Sequence, residues 1–503
     1  MREQLIKIFG EENVSDSEED LLCYALDASE LEGHVDAVVW AQNAKQISDL
    51  MKLANEKNIP VIPRGAGTNL SGGAIPLGGI VLDLSKMNSI IEFGEDYVMC
   101  EPGVILEDLE YFLNKKGKTF PVMPASDKAC SVGGCIAEDS VGIRAIKYGS
   151  MRDWIRELEV VLPDGRILNT IEKIFCGSEG ILGIITKAKL GIIDVPYIRT
   201  LSLYEFDNYN ELQNKVIELS KTDVSAIEFV SESTNKIVDN PMGNKNVLVV
   251  EFENENGDVK DKDEVKKISE HRKSISTQLA MKGYVNTSDP KIPLEKISEY
   301  LFFMDDLKLP SYGHVGVGII HARAKTKGEL KKVFDKAINL GGMAVGEHGV
   351  GLLKKGLAKE WVIPLKKQYD PKNLLNPGKI FGKEVDVKTQ LLESCRVCGM
   401  CRSRCLVFKN ILSESVSPRG KCILHDKDVL SDMFYKCSLC KACESVCPIG
   451  TKITDVIRES RRKLVNSGKS TKSNEKMIEN IRKYGNPFGE IEKGKIPKEL
   501  YCC

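Results

Sequence analysis

The run PVIPRGAGTNLSGGAIP, residues 60 to 76, sets Gly65, Gly67, Gly72 and Gly73 between an apolar strand-like segment (59 to 62) and a second one, GGIVLDL at 78 to 84. Upstream, residues 43 to 57 place Ile47, Leu50, Met51 and Ala54 at helical spacing. Glycines at these positions let a backbone come close to a ligand or turn sharply. Taken alone, the loop could offer N–H groups to a pyrophosphate or form a tight turn between strands. Its spacing is neither G-x-G-x-x-G nor G-x4-G-K-S/T, which excludes the Rossmann and P-loop readings.

Outward from this loop, a helix carries Leu106, Leu109 and Leu113 on one face and ends at Gly117. VVLPDGRIL (160 to 168) predicts a hairpin, and residues 180 to 193 are strand-rich. After Pro196 the strands LSLYEF, AIEFV, NVLVVEF and GVGIIHARA alternate with amphipathic helices near 209 to 220, 264 to 282 and 326 to 339, a second, α/β layer. Residues 254 to 264 predict an exposed loop, the turn-rich 369 to 382 close this part, and the polar, basic 465 to 476 predict a flexible linker.

At roughly 100 to 200 residues per domain, 503 residues predict two to four domains. Lys+Arg 71 against Asp+Glu 72 leaves a net charge of -1, which excludes the basic field of a general nucleic-acid binder. With 42% hydrophobic and 28% charged residues and no long apolar run, the chain has a globular composition without a spanning helix. MREQLIKIFGEENV has no signal-peptide core, so a cytoplasmic location is expected.

Cysteine usage divides the chain. Of 16 cysteines, five lie in the first 390 residues and eleven between Cys395 and Cys503. Cys395, Cys398, Cys401 and Cys405 form C-x2-C-x2-C-x3-C, and Cys437, Cys440, Cys443 and Cys447 repeat it, with Pro448 following. This spacing wraps a loop around a cubic cluster, three thiolates on one cluster and the fourth on its neighbour, which predicts two 4Fe-4S clusters. Zinc knuckles need two pairs of ligands per ion and leave the third C-x2-C step unexplained. Leu406 stands where a proline is expected in the first ladder, and Cys422 between the ladders reads as a buried thiol.

Three stretches, PVIPRGAGTNLSGGAIP, PASDKACSVGGCIAEDSVGIRAIKYGSMRDWIRELEVVLPDG and GSEGILGIIT, resemble the FAD-binding half of the vanillyl-alcohol-oxidase-like (PCMH-type) flavoproteins. The branch is that of the GlcD-type glycolate oxidase and D-lactate dehydrogenase subunits, and the likeness runs over about residues 35 to 382. It implies an α+β chain with an N-terminal helical segment (1–34), a two-subdomain FAD-binding domain (35–195) and an α/β FAD-linked oxidase cap domain (196–382). A mainly helical two-cluster ferredoxin-type domain (385–465) and a tail (466–503) follow. By this resemblance Pro63, Arg64, Gly65, Gly67, Thr68, Asn69, Ser71 and Gly72 cradle the diphosphate. Ser126, Gly133, Gly134 and Ile136 line the adenine-ribose-flavin groove, and Gly142, Tyr148 and Gly149 continue it. Gly177, Ser178, Glu179, Gly183 and Ile185 lie near the isoalloxazine. With no histidine in the loop, non-covalent FAD is expected. The stretch between Arg166 and Phe175 is shorter than usual in the family, which bears on access to the flavin.

GHVGVGIIH (His314, His321) and GEHGVG (Glu347, His348) hold three of the six histidines. Oxidising an α-hydroxy acid needs a base for the O–H proton, a cationic or metal site for the oxygens, and a hydride acceptor, and these segments supply the first two. Residues seven apart on a regular strand point to opposite faces, so His314 and His321 converge only if Gly316 and Gly318 permit a bulge; otherwise they are ordinary structural histidines. In the metal-containing D-2-hydroxyacid dehydrogenases that the chain resembles, the matching residues make His314, His321 and Glu347 ligands of a divalent ion, usually zinc, and His348 the base. Arg272 matches the arginine that pairs bidentately with the substrate carboxylate, and Ser276 a small assisting hydroxyl. Val317, Ile319 and Thr287 depart from the family's aspartate, asparagine and lysine, implying a less polar pocket.

SPRG (417 to 420) and NPFG (486 to 489) resemble the iron-sulfur subunits of glycolate oxidase and heterodisulfide-reductase-like proteins, in which a Cys-Cys-Gly domain follows. Here the sequence reaches Cys502-Cys503, read as exposed thiols. The whole predicts an FAD and iron-sulfur D-2-hydroxyacid dehydrogenase whose electrons go to a Cys-Cys-Gly subunit or an electron-transfer flavoprotein, with membrane contact, if any, through that partner. The basic run Arg458, Arg461, Arg462 and Lys463 is a docking candidate or a solvated helix face. The alternative function is a wiring subunit with a degenerate substrate site, motivated by Val317 and Thr287.

Overall fold

The computed structural model describes residues 1–238, 242–357, 359–382, 385 and 387–491. Among the described residues the strands sort into three larger sheets, each burying an apolar face, and two two-stranded pairs, Lys118–Thr119 with Ile193–Asp194 and Leu31–Glu32 with Lys388–Thr389. In the first, Ala37–Trp40, Ile80–Asp83 and Val61–Arg64 run parallel, with Val14–Ser15 antiparallel at the edge. Helix Ala44–Lys57 covers it through Ile47, Leu50, Met51 and Ala54, the stripe expected from the sequence. Asn43 caps this helix by accepting from the Gln46 N–H, and left-handed Asn58 ends it.

The second sheet is antiparallel, in the order Ile167–Thr170, Ile155–Val161, Ile184–Gly191, Tyr97–Cys100, Ile90–Phe93, and the expected Pro-Asp-Gly hairpin joins its first two strands. Helices Leu106–Asn114 and Val132–Glu138 share its core. The third sheet has six strands, ordered Thr200–Phe206, Asn246–Phe252, Ala226–Val230, Ser311–Gly313, His321–Ala324, Asn286–Thr287, all antiparallel. It carries apolar clusters on both faces, which is why AIEFV and NVLVVEF read as nearly continuous apolar runs.

Two expectations are corrected. GVGIIHARA is not one strand: Val315–Val317 forms a short 3-10 turn, Gly318 is left-handed, and only His321–Ala324 joins the sheet. A Cβ on Gly318 would lie 2.1 Å from the Ile292 carbonyl, so this bend demands glycine. Nor is 465 to 476 a continuous linker. Helix Ile453–Asn466 ends there and helix Lys472–Tyr484 begins, because the Thr471 side chain accepts from the Asn474 N–H. Leu500, Tyr501, Cys502 and Cys503 lie outside the described residues. No described helix is long and apolar enough to cross a membrane.

The cysteine-rich segment packs onto the glycine loop. Buried Arg402 and Arg419 share one buried carboxylate, Glu414. Arg419 grips it with Nε at 2.8 Å and Nη2 at 2.7 Å, and Arg402 Nε approaches to 2.9 Å without the alignment of a hydrogen bond. The same guanidiniums cross the domain boundary: Arg402 Nη1 and Arg419 Nη2 donate to the Ala66 carbonyl at 2.8 and 2.7 Å, and Arg419 Nη1 donates to Gly67 O and Val397 O. The N-terminal segment completes the joint, with Asp20 accepting from Ser413 and Ser415.

Burial alone would raise the Glu414 pKa, but Arg402 and Arg419 outweigh it and bring it to about 2. A glutamate depressed from about 4.3 in the unfolded chain contributes stability that is complete above that pH and is lost as pH falls toward 2. Glu414→Gln removes this acid-range slope and leaves two guanidiniums short of a counter-charge, a loss of about 3–5 kcal/mol. Anaerobic urea unfolding of both chains at neutral pH and near pH 4 measures it. An unchanged midpoint would remove the joint's role.

Candidate functional site

One cavity of about 400 Å³ is bounded by all three sheets and the cysteine-rich segment. From the glycine loop come Pro63, Arg64, Gly65, Gly67, Thr68 and Asn69. The N–H groups of residues 65 to 69 have no hydrogen-bond partner among the described residues, a row of donors that fits a diphosphate. Asn69 shapes the loop: its Oδ1 accepts from the N–H of Ser71 and of Gly73, while its Nδ2 donates to Glu138 at 2.8 Å. Ser126, Gly133, Gly134, Gly183 and Ile185 also line the cavity, as do Ser178 and Glu179.

Other expected FAD contacts lie elsewhere. The Arg64 guanidinium lies against Gly67 of the loop, donating to the Leu26 carbonyl at 2.7 Å and sitting over the Tyr24 ring. Ser71 Oγ donates to Gly349 O, and Gly72 packs against Leu31 and Leu352. Ile136 is wholly buried in the apolar core, Gly142 abuts the Met123 backbone, the Tyr148 hydroxyl donates to Glu253, and Gly149 caps a short helix. Ser71, Gly72, Ile136, Gly142, Tyr148 and Gly149 do not line the cavity. Glu179 ties walls together, accepting from Val350 N and Gly351 N at 2.7 Å each and from Lys359 Nζ at 2.6 Å.

On the opposite wall His314, His321, Glu347, His348 and Arg272 meet. The bend at Gly318 turns His314 back toward His321, with ring centroids 5.6 Å apart. Glu347 Oε2 is 3.7 Å from His314 Nε2, and its Oε1 is 3.2 Å from His321 Nε2. Donors each about 2.1 Å from one tetrahedral ion stand roughly 3.4 Å apart, so the set fits a divalent cation. Each ring is oriented from behind: His314 Nδ1 by Glu228 Oε1 at 2.7 Å, His321 Nδ1 by the Ser288 carbonyl at 3.1 Å. Both Nε2 atoms are thereby left as ligand atoms.

His348 stacks on His321 with centroids 5.3 Å apart, its Nε2 3.3 Å from Glu347 and its Nδ1 3.5 Å from Asp289. Burial would lower its pKa, but Asp289 and then Glu347 raise it to about 9. Asp289 is fully buried and holds the whole loop: its Oδ2 accepts from the N–H groups of Gly346, Glu347 and His348, and Lys354 pairs with its Oδ1. Arg272 Nη1 pairs with Glu228, and its buried Nη2 has no hydrogen-bond partner among the described residues, so Nη2 remains for an anion. Ser276 Oγ accepts from Arg323 Nη2 at 2.7 Å.

Sequence reasoning did not single out Glu228 or Asp289. Glu228 carried a signal, a lone carboxylate inside the apolar strand AIEFV; Asp289 sits in an Asp-Pro turn that resembles any other.

A second, small cavity lies among Cys395, Cys398, Cys401 and Cys447, with Cys422 and Pro448 also on its wall. Burial, and then the neighbouring thiols Cys437 and Cys405, push the Cys443 thiol up, so these three cysteines lie together. The fourth thiol of each ladder thus crosses to the other set, as the spacing predicts. The two loops also repeat in backbone: Val397 (φ 51°) and Leu439 (φ 55°) are left-handed, and their N–H groups donate to Cys395 Sγ and Cys437 Sγ. All fourteen described cysteines are free.

Family models match in three places: an FAD binding domain over residues 35–171, the C-terminal domain of FAD linked oxidases over 254–380, and a 4Fe-4S dicluster domain over 391–451. Glycolate oxidase subunit GlcD of Bacillus subtilis (strain 168) is 32% identical over 456 residues, spanning 76% of this chain and 97% of the relative. A D-lactate dehydrogenase of Archaeoglobus fulgidus is 32% identical over 410 residues, 69% of this chain and 91% of that one. Among solved structures, p-cresol methylhydroxylase with substrate bound shares the fold at TM-score 0.58 and 16% identity, covering 75% of this chain and 96% of its own. The chain therefore belongs to the FAD-linked oxidase family of the GlcD-type glycolate oxidase and D-lactate dehydrogenase subunits, and is an FAD-dependent oxidoreductase carrying a 4Fe-4S dicluster domain on the same polypeptide.

Proposed function

We propose that the chain is a D-2-hydroxyacid dehydrogenase of the D-lactate or glycolate class, which passes electrons through two 4Fe-4S clusters to a partner protein. The observation that carries this is the meeting of Arg272, His314, His321, Glu347 and His348 on the wall facing the glycine loop. Bound FAD would supply the hydride acceptor. Arg272 Nη2 holds the substrate carboxylate, and Glu228 keeps the guanidinium from swinging. His314, His321 and Glu347 would hold a divalent ion, zinc by the donor set, whose chemistry is to polarise the hydroxyl and carboxylate oxygens. His348 in its neutral form takes the proton from the hydroxyl oxygen as hydride leaves the carbon that bears it, and a 2-oxo acid results; a divalent ion beside Glu347 would favour that neutral form by opposing the carboxylate charges that raise the ring's pKa. Asp289 keeps the ring in place and stabilises its cationic form.

A wiring subunit with a decayed substrate site is less well supported. Of the two departures that suggest it, Thr287 borders the cavity and Val317 does not. Anaerobic mixing with D-lactate, glycolate and D-2-hydroxyglutarate is expected to bleach the flavin absorbance with at least one of them; no bleaching by any favours the wiring subunit. His348→Ala should slow flavin reduction about 10²- to 10⁴-fold while FAD content is unchanged, and normal turnover would remove the base assignment. After chelator treatment, equilibrium dialysis should return zinc to the chain, with Glu228→Gln weakening its affinity about 10- to 100-fold. Failure of the parent chain to bind zinc would end the metal assignment.

A further inference from the structure

The two cysteine sets differ in what they face. Cys398 and Pro448 border the small cysteine cavity and, with Met400, the large flavin-side cavity. No member of the other set, Cys437, Cys440, Cys443 and Cys405, reaches that wall. Its Cys440 is the one exposed thiol of the two ladders; Cys405 and Cys437 of this set are partly exposed, as are Cys395, Cys398 and Cys447 of the other. Electrons leaving the flavin side therefore meet the Cys395, Cys398, Cys401 and Cys447 set first, and the Cys440 set carries the exposed thiol.

The surface around this second set is both basic and apolar. Lys436 and Lys441, beside Cys437 and Cys440, are exposed and form no ion pair among the described residues. The nearby carboxylate, Glu444, feels the Lys441 charge but is hydrogen-bonded to the Thr454 N–H and hydroxyl at 2.7 and 2.6 Å. Leu406, which follows Cys405, is 74% exposed. By contrast the basic run noted in the sequence is already committed. Arg458 pairs with Asp455, Arg462 with Glu459 and Lys463 with Asp428, while Arg461 donates to the Phe434 and Cys437 carbonyls.

We propose that the face carrying Cys440, Lys436, Lys441 and Leu406 is the electron exit and docks an acidic one-electron carrier protein. Unpaired cations around an apolar contact steer an anionic partner and leave it a dry point of closest approach. This rests on the dehydrogenase reading for its electron source. Each hydroxy acid oxidised to an oxo acid gives two electrons and two protons; the electrons leave singly, reducing two carrier molecules by one electron each.

The experiment uses the full chain with FAD and clusters loaded, reduced with dithionite, and mixed with the acidic soluble domain of cytochrome b5 or with basic cytochrome c. Lys436→Glu with Lys441→Glu is expected to slow cytochrome b5 reduction about tenfold at low salt and to speed cytochrome c, with both differences fading at high salt. Cluster spin count and flavin bleaching by hydroxy acid should not change. If charge reversal lowers the spin count, Lys436→Gln with Lys441→Gln replaces it, with a slowing of about threefold expected. Equal cytochrome b5 rates in variant and parent overturn the proposal, as does phosphatidylserine vesicle binding that the variant loses without any change in carrier rate. Because dithionite replaces the substrate, failure of the dehydrogenase reading would show separately, as unbleached flavin.

Discussion

Two guanidinium groups and one carboxylate, all out of water, hold the glycine loop against the cysteine-rich segment. Arg402 and Arg419 spend their charge twice, on Glu414 and on the Ala66 and Gly67 carbonyls. With its carbonyls held from behind, the loop leaves the N–H groups of residues 65 to 69 to the cavity. Val397, between two cysteines of the first ladder, is bound to the same Arg419. The loop for one cofactor and the loop for the next are thus positioned by a single buried ion cluster. A buried pair gains from such an arrangement when its other donors find partners, and here backbone carbonyls take Arg402 Nη1, Arg419 Nη1 and Arg419 Nη2, while Arg402 Nε keeps only its charge contact with Glu414.

The opposite wall follows the same logic on a smaller scale. Glu228 orients both Arg272 and His314, and Asp289 fixes the loop that presents Glu347 and His348. Neither carboxylate is free for a substrate. Each holds cationic or ligating groups at the cavity surface, which lets five functional side chains from three separate segments share one wall without rearrangement.

Local signals in the chain were easy to read wherever a side chain's role depends on its neighbours in sequence. The helix over 44 to 57, the Pro-Asp-Gly hairpin and the duplicated cysteine spacing all arise from contacts within a few residues. The same holds for the bend in GHVGVGIIH, which the glycines suggested and Gly318 makes. Where a residue type is common and its partner is distant, the letters were silent. Arg64 and Tyr148 sit in motifs that the resemblance assigns to FAD, yet Arg64 turns to the carbonyl of Leu26 and Tyr148 to Glu253. Glu228 and Asp289 lie 86 and 59 residues from the histidines they serve.

What the sequence determined by itself was therefore the inventory: a glycine loop, two cysteine ladders, histidines with a glutamate, and their assignment to an FAD and iron-sulfur chain. Spacing dictates the cluster loops and tight bends, which are set by short-range chain geometry, while the FAD assignment rests on the resemblance of three stretches to a known family. Only the tertiary structure decided which groups meet. It set Cys398 on the flavin-side wall and Cys440 on the outside, took one of Arg272's nitrogens for Glu228, and tied the first cluster loop to Ala66 and Gly67. Those outcomes depend on how three sheets pack, and packing joins residues whose separation along the chain carries no information about their contact.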